Sequence, residues 1–184
     1  MRSHSFIRLL AGVLLVAACN DLNELPDASD SNVVDTITIT AISDPDVRKP
    51  SAYSISERRA IRLDQGGAFD FAYDVVDGTL FYPAAALGLG GSGTQAGFLA
   101  TTGGFADLTV APQNGYITEE PLPATIGTVY AVRSRLVCSQ LGGVPMYGKL
   151  EVLEIDPAAA SVTFQVLTNN NCGYRSLQPG VPEE

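Results

Sequence analysis

The chain has 184 residues, 46% of them apolar and 17% charged, with 18 Gly, 11 Pro, no Trp and a net charge of -9. The apolar share is too high for a disordered chain, the glycines lack a three-residue period, and the acidic balance argues against a nucleic-acid partner. The single His is His4.

The first 18 residues read as an export signal. Arg2 and Arg8 supply a basic start, and an uncharged apolar run of ten residues, 9–18, follows. A bilayer-spanning helix needs roughly 20 apolar residues, so the run fits a cleaved signal and not a permanent span. It ends Val16-Ala17-Ala18-Cys19, a pattern that resembles a bacterial lipobox, in which the Cys is lipidated and becomes the new N-terminus. Lipid on Cys19 anchors the chain, because each buried CH₂ contributes about 0.8 kcal/mol. Asn20, where an inner-membrane retention signal would have Asp, points to the outer membrane, on either its periplasmic face or the cell surface. Cleavage removes His4, Arg2 and Arg8, leaving a histidine-free mature chain.

Residues 19–34 are expected to be the lipidated Cys and an acidic flexible tether carrying Asp21, Glu24, Asp27 and Asp30 without a basic residue. Residues 35–178 are expected to be one all-β domain, and 179–184 a disordered tail. Within the domain the apolar period is two and the breaks are Gly, Pro, Asn and Asp, the pattern of strands and turns. Thr36-Ile37-Thr38-Ile39-Thr40 alternates throughout. Phe69-Asp70-Phe71-Ala72-Tyr73-Asp74-Val75 places three aromatics and Val75 on one face, with Asp70 and Asp74 toward solvent. Asp77-Gly78 then suits a two-residue hairpin turn into Leu80-Phe81-Tyr82.

Three further strands span 128–136, 147–155 and 161–167. The first turns Tyr130, Val132 and Leu136 inward and Arg133 and Arg135 outward; the third aligns Val162, Phe164 and Val166. In the middle strand the apolar phase slips between Val152 and Leu153, which a β-bulge explains. If these strands form a meander, Cys138 and Cys172 lie at one end of it, on either side of the central strand. In an exported protein they are expected to form a disulfide; two thiols without His make a poor zinc site. The fold class is all-β, an antiparallel, sandwich-like single domain with long loops.

Catalytic groups are scarce. Without His there is no Ser-His or Cys-His relay. Asp70 and Asp74, four strand positions apart, are separated by about 13 Å, too far for a carboxylate dyad. Glu119-Glu120 reads as a solvated pair. Gly88-Leu89-Gly90-Gly91-Ser92-Gly93 matches a dinucleotide-loop spacing but lacks the flanking strand and helix, and reads as a glycine-rich loop. No residue is assigned as catalytic or metal-ligating. Arg58, Arg59, Arg62, Arg133, Arg135 and Arg175 are scattered in sequence; if several converged, they would suit an anionic ligand.

Leu63-Asp64-Gln65-Gly66-Gly67, Phe69-Asp70-Phe71-Ala72-Tyr73-Asp74, Ala111-Pro112-Gln113-Asn114-Gly115-Tyr116, Gly127-Thr128-Val129-Tyr130-Ala131-Val132-Arg133, Tyr147-Gly148-Lys149-Leu150-Glu151-Val152-Leu153 and Val162-Thr163-Phe164 together resemble the HmuY-like family. These are all-β outer-membrane lipoproteins whose founding members bind haem and present it for uptake. The resemblance spans residues 36–164 and implies an all-β fold, an envelope address, haem or another small ligand, and an outer-membrane receptor as partner. The family's His or Met ligand pairs have no counterpart: the mature chain offers Met146 alone, and a longer loop, 138–145, replaces the tight turn before the Tyr-Gly-Lys-Leu strand. Tyr can ligate haem iron, so Met146 with Tyr147 or another Tyr are the candidate ligand-binding residues, while no position carries over as one of the family's ligands. The expected function is a lipid-anchored, non-catalytic binding protein. The alternative is a structural or adhesive cell-surface module without a small-molecule ligand.

Overall fold

The computed structural model describes residues 25–90, 95–139 and 142–182. The signal 1–18, Cys19 and the start of the tether lie outside these residues, as does the 91–93 part of the glycine-rich loop. Among the described residues, ten strands form two antiparallel five-stranded sheets. In the first, β1 (Val33–Thr40), β10 (Ser161–Asn169), β9 (Pro145–Asp156), β8 (Val129–Leu136) and β6 (Gly97–Ala100) lie side by side in that order. In the second the order is β3 (Arg59–Ile61), β2 (Ala52–Ser54), β4 (Phe71–Asp74), β5 (Leu80–Pro83) and β7 (Leu122–Pro123). Short 3-10 turns lie at Leu63–Gln65 and Ala84–Leu87.

The alternation creates the core. Ile39 of β1, Val162, Phe164 and Val166 of β10, Leu150 and Val152 of β9, and Tyr130 and Val132 of β8 face Tyr53, Phe71, Tyr73 and Phe81 of the second sheet. The centre is aromatic: Phe71 meets Phe98 edge-on at 4.9 Å, and Phe98 stacks on Phe81 at 5.3 Å. Such pairs contribute about 0.5–1.5 kcal/mol beyond area burial. The rings fill the space between the sheets. Tyr53 and Tyr73 bury their hydroxyls there without a partner among the described residues.

The meander β8-β9-β10 is present, and the bulge falls where the phase slips: Thr163 pairs with Glu154 but Phe164 with Val152, leaving Leu153 extra and exposed. Cys138 and Cys172 form a disulfide with Cα atoms 5.9 Å apart. It bridges the loops after β8 and β10, across the central strand.

Several expectations are corrected. The β4–β5 hairpin exists, but Asp74 pairs with Leu80, so the connection has five residues, 75–79, and not two. Gly78 holds φ 108° within it, a conformation open to Gly. Pairing in β4 starts at Phe71, so Phe69 departs from the inward face and packs with Ala52, Ile61 and Ala72. Asp70, just before the strand, is fully buried rather than solvent-facing. Its carboxylate accepts from the Ile55 amide at 2.7 Å, the Arg135 amide at 2.9 Å and the Arg135 guanidinium at 3.0 Å. Arg135 therefore turns to this carboxylate, tying one sheet to the other. The pairing of β8 with β9 is irregular between Arg133 and Leu136, which leaves Leu136 exposed and buries Ser134 in its stead. The Ser134 hydroxyl accepts from the Met146 amide at 2.9 Å and donates to the Arg135 carbonyl at 2.6 Å.

The domain is also wider than 35–178. Asn171 accepts from the Ser29 and Asp30 amides, Asn32 exchanges backbone bonds with Gly180, and β1 begins at Val33. Residues 29, 30, 32–34 and 180 thus belong to the packed structure, since their backbone groups bond within it. β2, β3, β6 and β7 were not anticipated from the sequence.

Candidate functional site

Met146 and Tyr147 are neighbours on β9, so their side chains leave opposite faces of the sheet. Met146 packs against the core between the sheets. Tyr147 packs on the outer face with Ala111, Leu167 and Leu177. The two do not converge on one ligand atom, so Met146 and Tyr147 form no joint site. Asp70 is committed to the inter-sheet clamp, where burial pushes its carboxyl above the usual range and the Arg135 contacts oppose that rise. Asp74 accepts from the Ser43 amide at the surface, and Glu119 and Glu120 are exposed.

The outer face of the first sheet is different in kind. Register places Arg133 of β8 directly opposite Tyr147 of β9, and Tyr147 opposite Asn169 of β10. Opposite Cβ atoms in such pairs lie about 4.5–5.5 Å apart. Two positions along β9, on the same face, is Lys149. Segment 101–117 folds over this face and packs Phe105, Leu108, Ala111 and Tyr116 against it. Gly97 and Gly148 permit the close approach of neighbouring chain: a Cβ on Gly97 would lie 2.7 Å from the Ile117 carbonyl oxygen.

The charges under this cover are arranged tightly. The Arg133 guanidinium stacks over the Tyr116 ring, 4.8 Å from its centroid, and its Nε donates to the Gln95 carbonyl at 3.1 Å. Tyr116 lies 6.3 Å from Tyr147, ring to ring. Arg175 follows β10 on the C-terminal segment and donates from Nε to the Ala111 carbonyl at 2.7 Å. Arg133 and Arg175 both act on the Tyr116 phenol, yet its burial outweighs them and pushes the phenol up. Lys149 is buried; its ammonium donates to the Phe105 carbonyl at 2.7 Å and the Leu108 carbonyl at 3.1 Å and sits over the Phe105 ring. Burial pushes this ammonium down.

Beside Arg175 a surface groove of about 870 Å³ runs between Leu25 and the C-terminal segment, lined also by Val110, Tyr174, Gln178 and Val181. It lies on the covering segments, not beside Met146. Of the six arginines singled out in the sequence, the fold sets Arg133 and Arg175 against the same 111–116 segment and engages Arg58, Arg59, Arg62 and Arg135 with Asp35, Glu57, Asp64 and Asp70. Tyr116 and Lys149 were missed as members of the site. The parity of Lys149 with Tyr147 was a usable signal for one; the fold-over of Tyr116 left none.

The arrangement presents hydrogen-bond donors and aromatic walls, which bind and orient a ligand. Compared with family models, curated protein sequences and solved structures, the chain matches none of them.

Proposed function

We propose that the protein is a lipid-anchored, non-catalytic binding protein of the bacterial outer membrane, held by acylated Cys19 and binding at the surface of its β-sandwich. The observation that carries this reading is the sequence Val16-Ala17-Ala18-Cys19, placed just upstream of a disulfide-bridged all-β domain that begins to pack by Ser29. A bridged sandwich suits an oxidising compartment. The groove beside Arg175 exceeds the roughly 300 Å³ at which small-molecule pockets begin, and supports binding at the surface.

Haem remains a candidate ligand on the resemblance alone, with ligands other than the Met146–Tyr147 pair. Titrating the purified protein with hemin and following the Soret band decides this: a shifted, saturable spectrum at micromolar protein supports haem, and an unshifted one removes it. For the anchor, wild type is expected in the detergent phase of a Triton X-114 partition, and Cys19→Ser in the aqueous phase. Cys19→Ser remaining with the detergent would overturn the lipid attachment.

The aromatic filling of the interior favours a second reading, a structural or adhesive cell-surface module whose surface meets another macromolecule.

A further inference from the structure

We propose that Arg133, Arg175 and Tyr147 form an anion site on the outer face of the first sheet, which takes the carboxylate or phosphate group of a small ligand. This deepens the reading of the chain as a binding protein and rests on it.

Charge pairing is the first argument. The chain is acidic, with a net charge of -9, and six of its described cations have a carboxylate at 3.0 Å or less: Arg48, Lys49, Arg58, Arg59, Arg62 and Arg135. Arg133, Lys149 and Arg175 have no such partner among the described residues. All three belong to one face of one sheet and the segments covering it. Three cations left without acids, in a chain with an excess of acids, leave a positive spot that an external anion would complete.

Orientation is the second. Each arginine spends its Nε on a main-chain carbonyl, of Gln95 and of Ala111 respectively. These bonds fix the planes of the guanidiniums and leave the terminal nitrogens with no protein acceptor among the described residues. A guanidinium held in this way retains the fork that meets a carboxylate or phosphate with two parallel bonds.

Convergence is the third. Arg133 and Tyr147 are cross-strand partners, Arg133 lies over the Tyr116 ring, and Arg175 bonds the Ala111 carbonyl, next in the chain to the Pro112 carbonyl that holds the Tyr116 hydroxyl. Tyr116 gives its own hydroxyl proton to the Pro112 carbonyl at 2.9 Å, so it serves as a wall. The Tyr147 hydroxyl has no partner among the described residues and is the neutral donor of the set. Lys149 holds the covering segment down through the Phe105 and Leu108 carbonyls and adds positive potential from the same face.

The test uses the full-length protein purified in detergent, with inorganic phosphate and benzoate as probes. Since the chain has no Trp, tyrosine emission reports on the site, and melting temperature is followed in parallel. At constant ionic strength, at least one probe is expected to give a saturable response with a Kd of about 1–10 mM and to raise the melting temperature. Arg133→Gln and Arg175→Gln each weaken it about tenfold or more, Arg133→Lys weakens it less than Arg133→Gln, and Arg48→Gln leaves it unchanged. Phosphate alone would narrow the ligand group to phosphate, and benzoate alone to carboxylate. No saturable response to either, a response matched by chloride at equal ionic strength, or binding unchanged in both glutamine variants would overturn the site. A purely structural role for the arginines would lower the melting temperature of the variants while leaving the wild type indifferent to both probes. Cys19→Ser partitioning is independent of this titration, so failure of the anchor and failure of the site are distinguishable.

Discussion

Replacing Asp70 with Asn isolates the contact that joins the two sheets. The wild-type carboxylate is fully buried and accepts three hydrogen bonds, from the Ile55 amide, the Arg135 amide and the Arg135 guanidinium. An Asn of the same shape keeps one acceptor oxygen, but its NH₂ must face at least one of these donors. At least one buried N–H is then orphaned, at about 1–3 kcal/mol. The Arg135 side chain, 29% exposed, also loses its counter-charge. Removing one partner of a buried pair costs about 3–5 kcal/mol; because water reaches Arg135 in part, we expect about 3 kcal/mol. For a domain of this size that is a fall in melting temperature of about 6–12 °C. The assay is urea unfolding followed by circular dichroism, with the disulfide intact in both proteins. A change below about 0.5 kcal/mol, the ordinary effect of a surface substitution, would refute the clamp and restore Asp70 to the solvent-facing position its sequence pattern suggests. The pH dependence adds a sign. Burial raises the folded-state pKa of Asp70, so the folded state binds this proton more readily than the unfolded one. Its contribution to stability declines as pH rises from the ordinary Asp value through the raised one, and Asp70→Asn lacks that component.

Other outcomes follow from the same contacts. Reducing the Cys138–Cys172 bridge, or replacing both residues with Ser, is expected to lower stability by about 3–4 kcal/mol for a separation of 34 residues; an unchanged urea midpoint would contradict this. Tyr53→Phe and Tyr73→Phe each remove a buried hydroxyl without a partner, so both should be neutral or stabilising by up to about 1 kcal/mol, and a loss greater than that would show a partner for the hydroxyl. Gly97→Ala places a Cβ 2.7 Å from the Ile117 carbonyl oxygen and should cost about 1–3 kcal/mol, whereas Gly127→Ala meets nothing within 4 Å and is strained only by its positive φ. Lys149→Met keeps the bulk but removes both carbonyl contacts, so amide exchange in segment 101–117 should accelerate while the core strands keep their protection.

The first sheet was largely legible because its strands are long enough to alternate. β8, β9 and β10 run 8, 12 and 9 residues, and a phase slip in β9 was sufficient to locate the bulge at Leu153. The second sheet was legible only at β4 and β5. β2, β3 and β7 have 3, 3 and 2 residues, too few for a period of two to register. Asp70 misled because parity holds only inside a strand: the pairing begins at Phe71, and the residue before it follows the turn and not the pleat. Arg135 and Leu136 misled for a related reason, since the irregular pairing after Arg133 shifts the alternation. The candidate site depended on register. Arg133 opposite Tyr147 is a fact about the alignment of two strands, and Arg175 reaches them only because the C-terminal segment returns over the same face. Met146 with Tyr147 failed on the simplest rule available, that adjacent strand residues point apart.

The lipid anchor is tested most directly by the intact mass of the protein extracted from its native membrane, read together with the mass of its N-terminal peptide. The expected result is a chain that begins at Cys19 and carries a diacylglyceryl group and a further acyl chain on that residue. A chain retaining residues 1–18, or one beginning elsewhere with Cys19 unmodified, would contradict it.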